Sequence, residues 1–130
     1  MESKDKKYIV DKKKNILSSF ARAFDGIKNA YATEFHMIIH CYMAVFVIIA
    51  GVLFRISYYE WLICLFLIGA VISLELINTA IESVVNMITT DYNYHAKVAK
   101  DVAAGAVLVM AIISAVIGLI IFVPKFIELF

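Results

Sequence analysis

The sequence predicts an all-α integral membrane protein in which an amphipathic surface helix precedes three transmembrane helices. The chain has 130 residues, is 63% hydrophobic and has a mean hydropathy of +0.87, whereas soluble domains are about 45–50% apolar. Its charge is uneven, because eight of the twelve lysines and arginines precede Phe35. Three long apolar segments follow that basic region. The length suits a single domain that covers residues 1–130.

The basic N-terminal region divides into two predicted parts. Residues 1–11 are predicted to be a polar tail. Residues 12–33 are predicted to form an amphipathic helix on the inner leaflet, because apolar side chains recur there at intervals of three or four. These apolar positions are Ile16, Phe20, Phe24, Ile27 and Tyr31. No early apolar core leads to a small-residue cleavage site, so no signal peptide is expected.

Each of the three apolar segments reaches the length of about 20 residues that a membrane span needs. The predicted spans are 35–54, 60–88 and 98–123. The first contains no Lys, Arg, Asp or Glu, and the second is interrupted after Trp61 only by Glu75 and Glu82 among charged residues. Pro124 is predicted to end the third span, because proline cannot continue a helix without losing a hydrogen bond.

The distribution of lysine and arginine predicts the orientation. Cytoplasmic segments carry an excess of these residues. The N-terminus and the loop at residues 89–97 are therefore predicted to be cytoplasmic, and the C-terminus is predicted to lie outside.

The second span carries a polar stripe, which is the strongest indication of function in the sequence. On a helix that turns about 100° per residue, its polar side chains fall within an arc of about 100°. These residues are Glu75, Asn78, Thr79, Glu82, Asn86 and Thr89. An acid inside a membrane span is costly and is seldom kept without a use. The stripe therefore predicts a functional site.

The two acids of this stripe are expected to have different tasks. Glu75 and Glu82 are seven residues apart, about 10.5 Å along a helix axis, which is too far for one metal ion to bridge both. Glu82 lies nearer the cytoplasmic end, where a hydrophilic ligand arrives. Glu75 lies deeper, where a lipid head group reaches it and a carboxylate can act as a general base. Asn78 lies between them and can orient either ligand.

Further polar residues lie at the same predicted membrane face. Lys100 near the start of the third span can hold phosphate charge, and Asp101 can bind a cation or pair with Lys100. Glu34 lies between the surface helix and the first span. Carboxylates beside a lysine suggest Mg²⁺-dependent phosphoryl transfer, which depends on positioning and charge neutralisation. Lys100 and Asp101 also fit an interfacial pair without function.

A different class of function is also open. Glu75 and Glu82 would serve a small membrane transporter or assembly protein that handles protons or cations. That interpretation explains the acids within the span. It does not explain Lys100 and Asp101 at the start of the third span, nor the basic surface helix.

Two sequence motifs resemble the small prokaryotic diacylglycerol kinase family. They are ELINTAIE at 75–82 and KDVAAGAVLV at 100–109, and the similarity extends through GIKNAYATE (26–34), YEWL (59–62) and IFVPKF (121–126). The Gram-positive undecaprenol kinase branch is the most similar. Asn86 stands where many relatives have aspartate, and the run Phe35–Ile38 lacks two basic residues that many relatives carry.

The resemblance implies a homotrimer of three-span protomers with shared active sites in the bacterial cytoplasmic membrane. It implies MgATP as phosphoryl donor and a lipid alcohol as acceptor, either undecaprenol or diacylglycerol. By motif, Glu75 corresponds to the general base and Asn78 to its polar neighbour. Glu34 and Glu82 correspond to the metal-binding carboxylates, and Lys100 and Asp101 to residues near the ATP phosphates.

Overall fold

A computed structural model describes residues 16–129, and over that range the protein is four α-helices without a strand. The helices are α1 (Ile16–Thr33), α2 (Phe35–Leu53), α3 (Tyr58–Ile88) and α4 (Tyr94–Ile127). Helices α2, α3 and α4 are each long and apolar enough to cross a membrane. The all-α prediction with three spans is confirmed. The predicted tail, residues 12–15 of the predicted surface helix and residue 130 lie outside the described residues.

Helix α3 begins at Tyr58, two residues before the predicted start of the second span. Ser57 and Glu60 explain this start, because they form a capping box. The Ser57 hydroxyl accepts the backbone N–H of Glu60 at 3.4 Å, and the Glu60 carboxylate accepts the N–H of Ser57 at 2.6 Å. Two N–H groups that the helix cannot satisfy itself thereby gain partners.

Helix α4 extends beyond the predicted span at both ends. It begins at Tyr94 because Oδ1 of Asn93 accepts the N–H groups of His95 and Ala96, at 2.9 and 3.1 Å, which is N-capping. The prediction that Pro124 ends the helix is wrong. Proline removes its own N–H donor, but its carbonyl still accepts the N–H of Glu128 at 3.0 Å, so the last turn continues to Ile127.

A tight turn joins α2 to α3 and depends on a glycine. The N–H of Arg55 donates to the carbonyl of Val52 at 3.2 Å and the N–H of Ile56 to that of Gly51 at 3.1 Å, which is a Schellman motif. Arg55 takes a φ of 49°, in the left-handed region. A Cβ at position 51 would lie 2.8 Å from the Trp61 ring, so the close approach of the ring requires glycine.

Helices α3 and α4 are antiparallel and form the most extensive interhelical contact in the described part of the chain. On α3 the buried residues Cys64, Leu67, Val71, Glu75 and Asn78 recur at intervals of three or four, with Thr79 buried beside Asn78. On α4 the buried residues are Ala103, Val107 and Ile121. Nζ of Lys125 lies 3.2 Å from Glu60 Oε2 and joins one end of the pair. Glu75 and Asn78 therefore lie inside the protomer, on the buried stripe of α3.

Candidate active site

Glu75 is the deepest acid of the site. It is only 3% exposed, yet within residues 16–129 its carboxylate has no hydrogen bond or ion pair. Its backbone carbonyl accepts the Thr79 hydroxyl at 3.0 Å, and the Ser83 hydroxyl donates to the Thr79 carbonyl at 2.9 Å. Both hydroxyls thus donate to backbone carbonyls of their own helix and not to the Glu75 carboxylate. The polar stripe therefore contains one buried residue, Glu75, whose carboxylate makes no hydrogen bond within the described chain.

Asn78 connects this deep level to Glu82, one turn further along α3. Its Nδ2 donates to Glu82 Oε1 at 2.9 Å. Because an ionised carboxylate only accepts hydrogen bonds, this contact fixes the amide with Oδ1 turned away from Glu82. Asn78 is 6% exposed, and Oδ1 is the one buried side-chain polar atom in the described residues without a partner. Such an atom costs about 1–3 kcal/mol, which a bound ligand or water would recover.

Lys100 reaches across from α4 to α3. Its Nζ donates to Asn86 Oδ1 at 2.7 Å, so Asn86 ends the polar stripe beside a positive charge. The suggestion that Asp101 pairs with Lys100 is wrong. Asp101 instead accepts from Lys97 at 2.8 Å. The reason is geometric, because residues four apart share a helix face and adjacent residues do not.

An open pocket of about 230 Å³ lies where α3 ends and α4 begins. It is lined by Asn86, Lys97, Lys100 and Asp101, together with residues 89–93 of the connecting loop. Sequence reasoning identified Lys100 and Asp101 but missed Lys97 and the role of Asn86. The i,i+4 spacing of Lys97 and Asp101 was a usable signal. No comparable signal in the sequence indicated the Asn86–Lys100 contact, because that contact depends on how two helices pack.

Glu34 lies at the junction of α1 and α2. Its N–H donates to the Ala30 carbonyl at 2.9 Å. It occupies the N-cap position of α2, but its carboxylate makes no capping hydrogen bond. The half-buried carboxylate is therefore not committed to the helix end.

The carboxylates of Glu34 and Glu82 offer the kind of oxygen ligand that Mg²⁺ prefers. Among the described residues, no group of three or more His, Cys, Asp or Glu side chains is placed to hold a metal ion. Mg²⁺ in nucleotide sites usually takes one or two carboxylates and completes its shell with phosphates and water. Glu82 uses only Oε1 for Asn78 and retains Oε2, and Glu34 is uncommitted. Each of these carboxylates is of the donor type that Mg²⁺ takes from a protein when phosphates complete its shell.

Similarity to known proteins extends over most of the chain. Residues 21–122 match the family described as prokaryotic diacylglycerol kinase. The chain belongs to the prokaryotic diacylglycerol kinase family. This confirms the resemblance that the motifs indicated, and the matched range contains every candidate site residue from Glu34 to Asp101. The protein is thus a multi-pass membrane protein of a lipid kinase family.

Two relatives within the family cover most of this chain. The undecaprenol kinase of Bacillus subtilis is 46% identical over 125 residues, which are 96% of this chain and 99% of that protein. The diacylglycerol kinase of Synechocystis sp. is 39% identical over 117 residues, which are 88% of this chain and 66% of that protein. This family member thus matches the first relative along nearly the whole length of both chains.

Proposed function

We propose that this protein is an integral membrane kinase that transfers the γ-phosphate of ATP to undecaprenol, giving undecaprenyl phosphate. The observation that carries the enzymatic part is Glu75, a buried residue whose carboxylate makes no hydrogen bond in the described chain, beside the Asn78–Glu82 hydrogen bond. The choice of acceptor rests on similarity to an undecaprenol kinase along nearly the whole length of both chains. Diacylglycerol is the second candidate acceptor, supported by a shorter match to a longer diacylglycerol kinase.

Glu75 is proposed as the general base. A lipid alcohol is a weak nucleophile until its hydroxyl proton is accepted, and a carboxylate within hydrogen-bond reach can accept it. As the lipid oxygen bonds to the γ-phosphorus, the bond from that phosphorus to the bridging oxygen breaks and ADP leaves. The unpartnered Oδ1 of Asn78 can accept a hydrogen bond from a hydroxyl or water and so orient the acceptor.

The remaining residues are proposed to hold the donor. Glu82 and Glu34 would hold Mg²⁺, which would neutralise phosphate charge when it is bound with ATP. The Lys100 ammonium would stabilise negative charge that develops on the phosphates during transfer. Asp101, paired with Lys97, would lie beside the phosphates at the pocket and keep Lys97 on its own face of α4.

The protein is proposed to lie in the bacterial cytoplasmic membrane with its N-terminus in the cytoplasm. The apolar side chains of α1 support a position on the inner leaflet, since Ile16, Phe20 and Phe24 are 74%, 61% and 68% exposed in the single chain. A leaflet would cover that face and leave the basic residues at its surface. In this orientation the pocket at the start of α4 would face the cytoplasm, where ATP is available.

A homotrimer is proposed as the functional assembly. The broad apolar surface of α2, α3 and α4 suits contact with lipid or with further copies. Ala103 is buried inside the protomer, whereas Ala104 is exposed on α4 and would let a second helix approach closely. The trimer number comes from the family resemblance, and native mass measurement in detergent tests it. A fully active species with the mass of one protomer would exclude the trimer.

The decisive experiment is transfer of labelled phosphate from ATP to purified undecaprenol and, separately, to diacylglycerol. The full chain is reconstituted in detergent micelles with Mg²⁺, and Glu75→Gln serves as the matched inactive control. Labelled undecaprenyl phosphate at a higher kcat/KM than phosphatidic acid supports the proposal. The reverse order would make the protein a diacylglycerol kinase. Absence of lipid-stimulated ATP consumption would instead favour the transporter or assembly role.

A further inference from the structure

Two lysines line the pocket at the start of α4, and the described structure gives them chemically different partners. Lys97 pairs with the carboxylate of Asp101 at 2.8 Å. Lys100 donates to the amide oxygen of Asn86 at 2.7 Å. The first contact joins opposite charges within one helix. The second contact joins a cation to a neutral acceptor on another helix.

The two contacts have different electrostatic consequences. A carboxylate compensates the charge of the lysine that it binds, so the Lys97–Asp101 pair presents little net charge at close range. An amide accepts the hydrogen bond but carries no net charge. Lys100 therefore keeps its full positive charge while its ammonium is held in place. Asp91 also lines the pocket, but it makes no ion pair with either lysine in the described chain.

We propose that Asn86 is a positioning residue that fixes the Lys100 ammonium for polyphosphate binding without neutralising it. The inference rests on the proposed function, because it deepens the role of Lys100 toward ATP. Lysine is a long side chain that loses rotamer freedom when it is ordered. An acceptor already in place reduces the ordering that a ligand must impose. Nζ has three N–H donors, and two remain for phosphate oxygens after one binds Asn86.

The proposal predicts a specific response to adding a carboxylate at this position. Asn86→Asp keeps the shape of the side chain but converts the contact into an ion pair that competes with phosphate. We expect KM for ATP to rise about tenfold, because the added carboxylate competes with phosphate for the hydrogen bonds of the Lys100 ammonium. Asn86→Leu frees Lys100 and should lower kcat, with a smaller rise in KM for ATP.

The test repeats both substitutions in a Lys100→Met background. If Asn86 acts through Lys100, Asn86→Leu no longer changes KM for ATP there, and Asn86→Asp raises it no more than an added charge elsewhere in the pocket does, because the effects of coupled residues are not additive. Thr90→Asp adds the same charge to the pocket lining outside the Asn86–Lys100 contact and should raise KM for ATP less than Asn86→Asp does. Equal effects of Asn86→Asp in both backgrounds, or a loss of thermal stability with unchanged KM for ATP, would overturn the proposal.

Equilibrium binding of ATP and of inorganic triphosphate separates this inference from the proposed function. Binding that Asn86→Asp weakens only when Lys100 is present supports the inference even if no lipid is phosphorylated. If the wild-type enzyme is active but Asn86→Asp leaves the affinity for triphosphate unchanged, the inference is rejected and the kinase function stands. Wild-type protein that neither binds triphosphate nor phosphorylates a lipid would reject both.

Discussion

The side-chain amide of Asn78 donates to Glu82 Oε1 across one turn of α3, at 2.9 Å. This contact joins the buried Asn78 to the half-buried Glu82. It also fixes the amide orientation, with Nδ2 toward Glu82 and Oδ1 away from it. The acid nearer the pocket keeps one oxygen without a hydrogen bond in the described chain. Oδ1 of the same amide is buried without a partner in the described residues, on the stripe that also carries Glu75. The hydrogen bond thus links the carboxylate proposed to hold a metal to the amide proposed to orient the alcohol.

Glu75→Gln should abolish lipid phosphorylation while leaving MgATP binding largely intact. Glutamine keeps the shape and hydrogen bonding of the side chain but cannot take the proton of the alcohol, and general-base catalysis contributes about 10²–10⁴-fold. Glu75→Asp should retain a small residual rate, because its carboxylate is withdrawn by one methylene. Rates come from labelled phosphate transfer and affinities from equilibrium binding. A near wild-type rate for Glu75→Gln would make Glu75 a structural acid.

Glu82→Gln should remove turnover and weaken MgATP binding, with the fold retained. The substitution deletes the negative charge that is proposed to hold Mg²⁺. Glu34→Gln should show the same effect in milder form. Titration of Mg²⁺ at fixed ATP provides the measurement, with circular dichroism as the check on folding. If both variants kept the wild-type Mg²⁺ dependence, the metal assignment would be rejected.

Lys100→Ala should raise KM for ATP and lower kcat, by at least about tenfold in kcat/KM, because it removes a charge directed at the phosphates. Steady-state kinetics at varied ATP measure both constants. Thermal unfolding in detergent provides the control. Lower stability with normal kinetics in the folded fraction would favour a lysine that serves only the membrane interface.

Gly51→Ala should destabilise the protein by about 1–3 kcal/mol, the usual range for overpacking. The new methyl group would lie 2.8 Å from the ring of Trp61, so the ring or the turn must shift. Gly118→Ala is the matched control, since no heavy atom lies within 4 Å of a Cβ built there. Thermal unfolding of both variants in the same detergent measures the difference. Equal stabilities would show that Trp61 moves aside without cost.

Cysteine labelling tests the orientation. In a Cys41→Ala/Cys64→Ala background, Tyr92→Cys should react with a membrane-impermeant maleimide only after the cells are permeabilised. Tyr59→Cys should react in intact cells. Tyr92 lies in the loop between α3 and α4, Tyr59 lies in the first turn of α3, and both are well exposed. The positive-inside rule places Tyr92 in the cytoplasm. Reaction of Tyr92→Cys in intact cells would reverse the topology.

The fold was largely predictable because membrane spans leave a strong signal in length and hydropathy. The helix ends were less predictable, because they depend on single side chains. Asn93 starts α4 four residues early, and Pro124 fails to end it because only one hydrogen bond is lost there. Intrahelical relationships of the site, such as Glu75 with Asn78 and Glu82, followed from the helical period. Contacts between helices, such as Asn86 with Lys100, depend on packing that spacing does not encode.

The turn between α2 and α3 has a mechanical consequence. Its backbone is closed by two hydrogen bonds, the Trp61 ring lies against Gly51, and Lys125 joins the same end of α4 to Glu60. The opposite end carries an open pocket and exposed polar contacts. Side-chain packing and a tight turn therefore hold one end of the α3–α4 pair, whereas the short loop at residues 89–93 holds the other end and leaves a pocket between the helices that a ligand can enter.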